Sequence, residues 1–66
     1  MKNRLEQLRA ERGIRQEELA AALRVSRQTI SSLENGRYNP SLRLAMDIAK
    51  VFGASVEELF EFTEDE

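Results

Sequence analysis

A chain of 66 residues is expected to form one small domain. At that size only about 60% of the unfolded surface is buried, so association with a second copy is the expected way to enlarge the core. Cysteine and histidine are both absent, which removes disulfides, thiolate zinc sites, the usual general base and the commonest metal ligand, and so argues against an enzyme, a metal or a cofactor. The net charge of −2 divides unevenly: residues 1–50 carry all ten basic residues and six acidic ones, for +4, whereas residues 51–66 carry six acidic residues and no basic one, for −6. Such a body can meet nucleic acid through one face and keep its acidic end off it, or simply carry a solvated surface with an acidic end; charge alone does not decide between them.

The elements follow in chain order. Asn3 with Glu6 three residues on predicts a capping box that opens a first helix over about 3–12, with Leu5 and Leu8 on its buried side and Gly13 at its end. Ile14 is expected in the core. A second helix is expected over 16–23, burying Leu19, Ala20 and Leu23. Ser26 caps a third helix over 27–35, where Ile30 and Leu33 face inward and Asn35-Gly36 ends the run. The stretch Arg37-Tyr38-Asn39-Pro40 reads as a loop, because the proline pushes Asn39 out of helical geometry. Ser41 begins a fourth helix over 42–52, with Leu42, Ala45, Ile48, Ala49 and Phe52 on one face and Gly53 as its stop. Ser55 and Glu58 form a capping box for a short fifth helix over 56–60. In the tail, 61–66, alternation from Phe60 to Thr63 fits a short strand, and the closing Glu-Asp-Glu is expected to fray.

No apolar run reaches the roughly 18–20 residues that span a bilayer, and the N-terminus lacks a signal-peptide pattern, so no membrane association is expected and the cytoplasm is the expected location.

Residues 16–35 carry the functional reading. They are two short helices joined by the turn Arg24-Val25-Ser26, with Ala20 small where the helices cross and Val25 plugging the turn. Burial of Leu19, Leu23, Ile30 and Leu33 leaves Arg27, Gln28, Ser31 and Ser32 on the open face of the third helix. This arrangement resembles the lambda-repressor-like, or XRE-type, helix-turn-helix regulators. The likeness runs through Leu8-Arg9, Gln16-Glu17-Glu18-Leu19-Ala20, Val25-Ser26-Arg27-Gln28-Thr29-Ile30-Ser31 and Leu33-Glu34-Asn35-Gly36. It continues through Asn39-Pro40-Ser41-Leu42, Ile48-Ala49 and Glu58-Leu59-Phe60. Length and the Phe-rich tail look most like the small cytolysin-repressor type, whose members are dimers with a C-terminal strand. The resemblance implies an all-α, compact five-helix fold with the helix-turn-helix at helices two and three, and a dimeric repressor bound to palindromic double-stranded DNA, associated with the nucleoid. An antitoxin-like protein whose acidic tail holds a protein partner is the alternative.

Within that motif the third helix points its N-terminal end into the major groove. Gln28 is the foremost base reader, because its amide matches adenine in a bidentate way; Thr29 and Ser32 join it, and Arg27 suits guanine or, at the first helical turn, a phosphate. Gln16 and Arg15 at the start of helix two, Ser26 at the start of helix three, and Asn35, Arg37, Tyr38 and Arg43 beyond it are the phosphate-binding candidates. The resemblance further implies a structural pair, Arg9 with Glu34. Leu44, Val51, Phe60 and Phe62 are apolar beyond what one small core needs and are expected to contact a second copy.

Two positions depart from the family pattern. Arg24 stands where glycine is usual, in a turn that tends to positive φ, and should cost on the order of 1 kcal/mol there. Arg15 stands where Ser or Thr usually caps helix two, a loss of roughly 0.5–2 kcal/mol. Both add positive charge beside the DNA-facing side.

Overall fold

The computed structural model describes residues 2–61. They form β1 (Lys2–Asn3), α1 (Leu5–Glu11), α2 (Gln16–Leu23), α3 (Arg27–Glu34), α4 (Leu42–Phe52), α5 (Val56–Leu59) and β2 (Phe60–Glu61). Five helices enclose one core of Leu5, Leu19, Ala20, Ile30, Leu33, Leu44, Ala45, Ile48, Phe52, Leu59 and Phe60, and Leu8, Ile14, Leu23 and Val25 pack against it. The described part measures 32 × 22 × 20 Å.

The serines define three of the helix starts. Ser26 Oγ accepts from the Thr29 N–H and Ser41 Oγ from the Leu44 N–H, both at 3.1 Å. At α5 the box is reciprocal: Ser55 Oγ accepts from the Glu58 N–H, and Glu58 Oε1 accepts from the Ser55 N–H. Each bond satisfies a first-turn group with no partner inside its helix. Arg15 supplies only half of such a box at α2. Glu18 Oε1 accepts from the Arg15 N–H at 2.9 Å, but a guanidinium has no acceptor to return. The turn after α2 is left-handed at Arg24, with φ 60° and ψ 39°, the conformation its place in the motif foretold.

Three expectations are corrected. Asn3 does not cap α1; it lies in β1, opposite Phe60 in an antiparallel pair that also joins Lys2 to Glu61. Its side chain is still used. Oδ1 accepts from the Leu5 N–H at 3.2 Å, and Nδ2 donates to the Leu33 carbonyl at 2.6 Å, fastening the N-terminus to the end of α3. The helix therefore begins at Leu5, two residues later than expected.

The buried face of α4 is Leu44, Ala45, Ile48 and Phe52, whereas Leu42 is 75% exposed. Leu44 and Phe60, expected against a second copy, thus lie in the chain's own core. Phe60 reaches it because α5 ends at Leu59 and the chain turns extended, placing β2 over the core beside β1. Val51 is 37% exposed. Phe62 lies outside the described residues.

Candidate nucleic-acid interface

Ile30 and Leu33 anchor α3 with no exposure, which fixes the helix rotation and turns Arg27 and Gln28 to solvent. Gln28, Thr29 and Ser32 then line one shallow groove with Ser26, Arg37 and Tyr38. Six of the predicted contact residues come together there, from the cap of α3, its outward face and the loop beyond it. The Ser26 and Thr29 hydroxyls are 2.8 Å apart and share a hydrogen bond. Thr29 is held in one orientation by its own helix cap, so its methyl is the freer part for a base.

A second concavity adjoins the start of α2 and is lined by Arg9, Arg15, Gln16, Glu17 and Arg27. Arg27 and Gln28 are about 100° apart around the helix, so they serve different hollows. The α2 end carries first-turn N–H groups without helical partners, and three guanidiniums stand beside them. Arg15 spans two carboxylates, Glu17 at 3.5 Å and Glu18 at 3.4 Å, with all three side chains largely exposed. Pairs this exposed are worth little and leave the guanidinium free to turn to another anion.

Arg9 and Glu34 form the expected pair. Arg9 Nε donates to Glu34 Oε2 at 2.7 Å and Nη2 donates to Oε1 at 3.2 Å, in the parallel geometry that suits guanidinium and carboxylate. Their side chains are 16% and 3% exposed. The Glu34 hydrogen bond pushes the Arg9 pKa above its ordinary value, more than burial lowers it. Arg9 Nη1 also donates to the Ile14 carbonyl at 2.9 Å, so one side chain closes the turn between α1 and α2.

Gln16 was missed as a third member of this cluster: its Nε2 donates to Glu34 Oε1 at 2.9 Å. Eighteen positions separate the two, and no periodic spacing signals that contact. The only cue was that a buried carboxylate has room for more donors than one arginine supplies.

Two phosphate candidates lie elsewhere. Asn35 caps the end of α3 on the side of the ribbon, in a hollow shared with Lys2, Arg4 and Glu57. Arg43 sits 4.0 Å from Asp47 on the outer face of α4, near Leu42 and Met46. Neither joins the groove of Gln28. The acidic residues Glu57, Glu58 and Glu61 border the Asn35 hollow, away from the two concavities of α2 and α3. Among the described residues there is no group of three acidic, histidine or cysteine side chains placed to hold a metal ion, and no helix long and apolar enough to cross a membrane.

The chain is similar to known proteins over nearly all its length. The helix-turn-helix family profile matches residues 5–59. An HTH-type transcriptional regulator of Methanocaldococcus jannaschii, MJ0272, is 52% identical over 66 residues, the whole of both chains. One from Archaeoglobus fulgidus is 53% identical over 66 residues, all of this chain and 94% of that one. Among solved structures, the clp gene regulator ClgR of Corynebacterium glutamicum superposes with a TM-score of 0.74 at 41% identity, over 82% of this chain and 57% of its own. With two helices set around a left-handed turn, α3 presenting a polar groove, and relatives matched end to end, the chain belongs to the helix-turn-helix family of XRE-type transcriptional regulators.

Proposed function

We propose that this chain is a sequence-specific DNA-binding repressor, a single domain that acts in the cytoplasm on the nucleoid as a homodimer at palindromic operators. It carries no enzymatic activity. The observation that carries the reading is the groove where Gln28, Thr29 and Ser32 meet Arg37 and Tyr38. An amide and hydroxyls suited to bases line it together with groups suited to phosphate. Gln28 reads adenine with its amide, Thr29 offers its methyl to thymine, and Ser32 touches the next base. Arg27 stands on the other side of α3 and, with Arg15 and Gln16, holds the phosphodiester backbone at the start of α2. The relatives named as transcriptional regulators support the same reading. Among the described residues of the expected dimer contact, Val51 stays available to a second copy.

Selection of bound duplexes from a random pool, at two salt concentrations, tests this. A palindrome with half-sites about one helical turn apart, roughly 34 Å, is the expected product. Enrichment of no sequence, with binding lost on modest salt, would reduce the activity to phosphate attraction. Sedimentation of a monomer at micromolar concentration would remove the dimer. Recovery of a basic protein bound to the acidic tail, together with weak DNA selection, would favour the antitoxin-like alternative instead.

A further inference from the structure

We infer that Glu34 is a positioning residue for DNA binding: its one carboxylate aims both Arg9 and Gln16 at the DNA backbone and couples the end of α3 to the start of α2. The inference rests on the proposed reading that the start of α2 meets a phosphodiester.

Glu34 is the last residue of α3, and its side chain is 3% exposed. Oε2 accepts from Arg9 Nε; Oε1 accepts from both Arg9 Nη2 and Gln16 Nε2, at 3.2 and 2.9 Å. Each donor group is therefore only partly spent. The Gln16 amide carries two N–H groups about 120° apart, so one on Glu34 directs the other away from it. Arg9 likewise keeps one N–H on each terminal nitrogen after its bonds to Glu34 and the Ile14 carbonyl. Both residues line the hollow that also holds Arg15 and Arg27. Without the carboxylate, the Gln16 amide is free to rotate, and the entropy of fixing it falls on DNA binding.

The sign of the effect separates this account from simple electrostatics. Glu34 is a negative charge behind a phosphate site, so charge alone predicts that Glu34→Gln tightens DNA binding. Positioning predicts the opposite, because an amide sets an NH2 group where Oε2 accepts from Arg9 Nε, donor against donor, and so displaces the oxygen that Arg9 and Gln16 share.

The test is a double-mutant cycle of Glu34→Gln and Gln16→Met, read by fluorescence anisotropy on a labelled mixed-sequence duplex at low salt. Circular dichroism at the assay temperature shows which variants are folded. Gln16→Met is expected to bind roughly tenfold more weakly, Glu34→Gln at least as weakly because Arg9 is also released, and the double variant no more weakly than Glu34→Gln alone. Losses that multiply in the double variant, or tighter binding by folded Glu34→Gln, overturn the inference and leave DNA binding itself intact. A wild-type protein that does not bind the duplex overturns the underlying reading along with it. Should Glu34→Gln not fold, Glu34→Asp, which withdraws the carboxylate by one methylene, takes its place in the same cycle.

Discussion

Replacing Glu34 by alanine should cost this protein far more stability than replacing Gln28, although Gln28 is the residue assigned to the DNA. Glu34→Ala leaves the Arg9 guanidinium 16% exposed in the intact fold, with its two carboxylate bonds gone and only the Ile14 carbonyl retained. Breaking a buried pair by removing one partner costs about 3–5 kcal/mol. The lower figure applies, because Arg9 keeps some access to water and Gln16 can turn outward. For a domain of this size about 1 kcal/mol moves the melting point by roughly 4–8 °C, so about 3 kcal/mol means a fall of roughly 12–24 °C. Gln28 is exposed and has no such partner to strand, so Gln28→Ala should stay within about 0.5 kcal/mol of wild type. Thermal and urea unfolding followed by far-ultraviolet circular dichroism measure both. Equal melting points for the two variants would refute the reasoning. Replacing both members, as Arg9→Met with Glu34→Leu, should recover much of the loss, since no charge is then stranded.

Arg24→Gly should stabilise the fold by roughly 0.5–1 kcal/mol. It relieves a side chain at φ 60° worth about 1–2 kcal/mol and gives back part through glycine's freedom in the unfolded chain. Urea melts would read the gain, and a loss would show that the Arg24 side chain makes a stabilising contact. Stability should also fall in acid through Glu58. The Ser55 N–H holds the Glu58 carboxylate below its ordinary value of 4.5, with the Ser55 hydroxyl adding to the effect. The unfolded chain then binds its proton more readily, so this contribution is present above about pH 4.5 and disappears as pH falls through the lower folded value. Urea midpoints between about pH 5 and 3 should fall less steeply for Glu58→Gln than for wild type; parallel slopes would contradict the assignment.

Most of the motif was legible because its local signals agree with its packing. Ser26, Ser41 and Ser55 stand where their helices begin, and Gly53 closes α4 in the left-handed conformation. The strain at Arg24 was readable from the family pattern, in which glycine usually stands at that turn. Where two local signals compete, the chain alone misleads. Asn3-x-x-Glu6 matches a capping box, but a strand partner 57 positions away, Phe60, claims the Asn3 backbone. The α4 sequence offers overlapping apolar stripes through Leu42 and through Leu44, and only the neighbouring helices decide that Leu44 goes inside. That choice also removes Leu44 from the apolar surface expected to meet a second copy.

The candidate groove was legible for the same reason as the helix: burial of Ile30 and Leu33 dictates which residues of α3 face out. Distance through space was not. Asn35 and Arg43 both follow α3 in sequence, yet they fall on the ribbon side and on the back of α4. Gln16 looked like a free phosphate ligand, and it is bonded to Glu34.

The most direct test of the central claim compares wild type and Gln28→Ala on the selected duplex and on variants carrying each single base-pair change. Wild type should reject the wrong base at one adenine position by about 1–3 kcal/mol. Gln28→Ala should lose discrimination there while keeping it at the other positions. Unchanged discrimination at every position would contradict the claim that the exposed groove of α3 reads the DNA through Gln28.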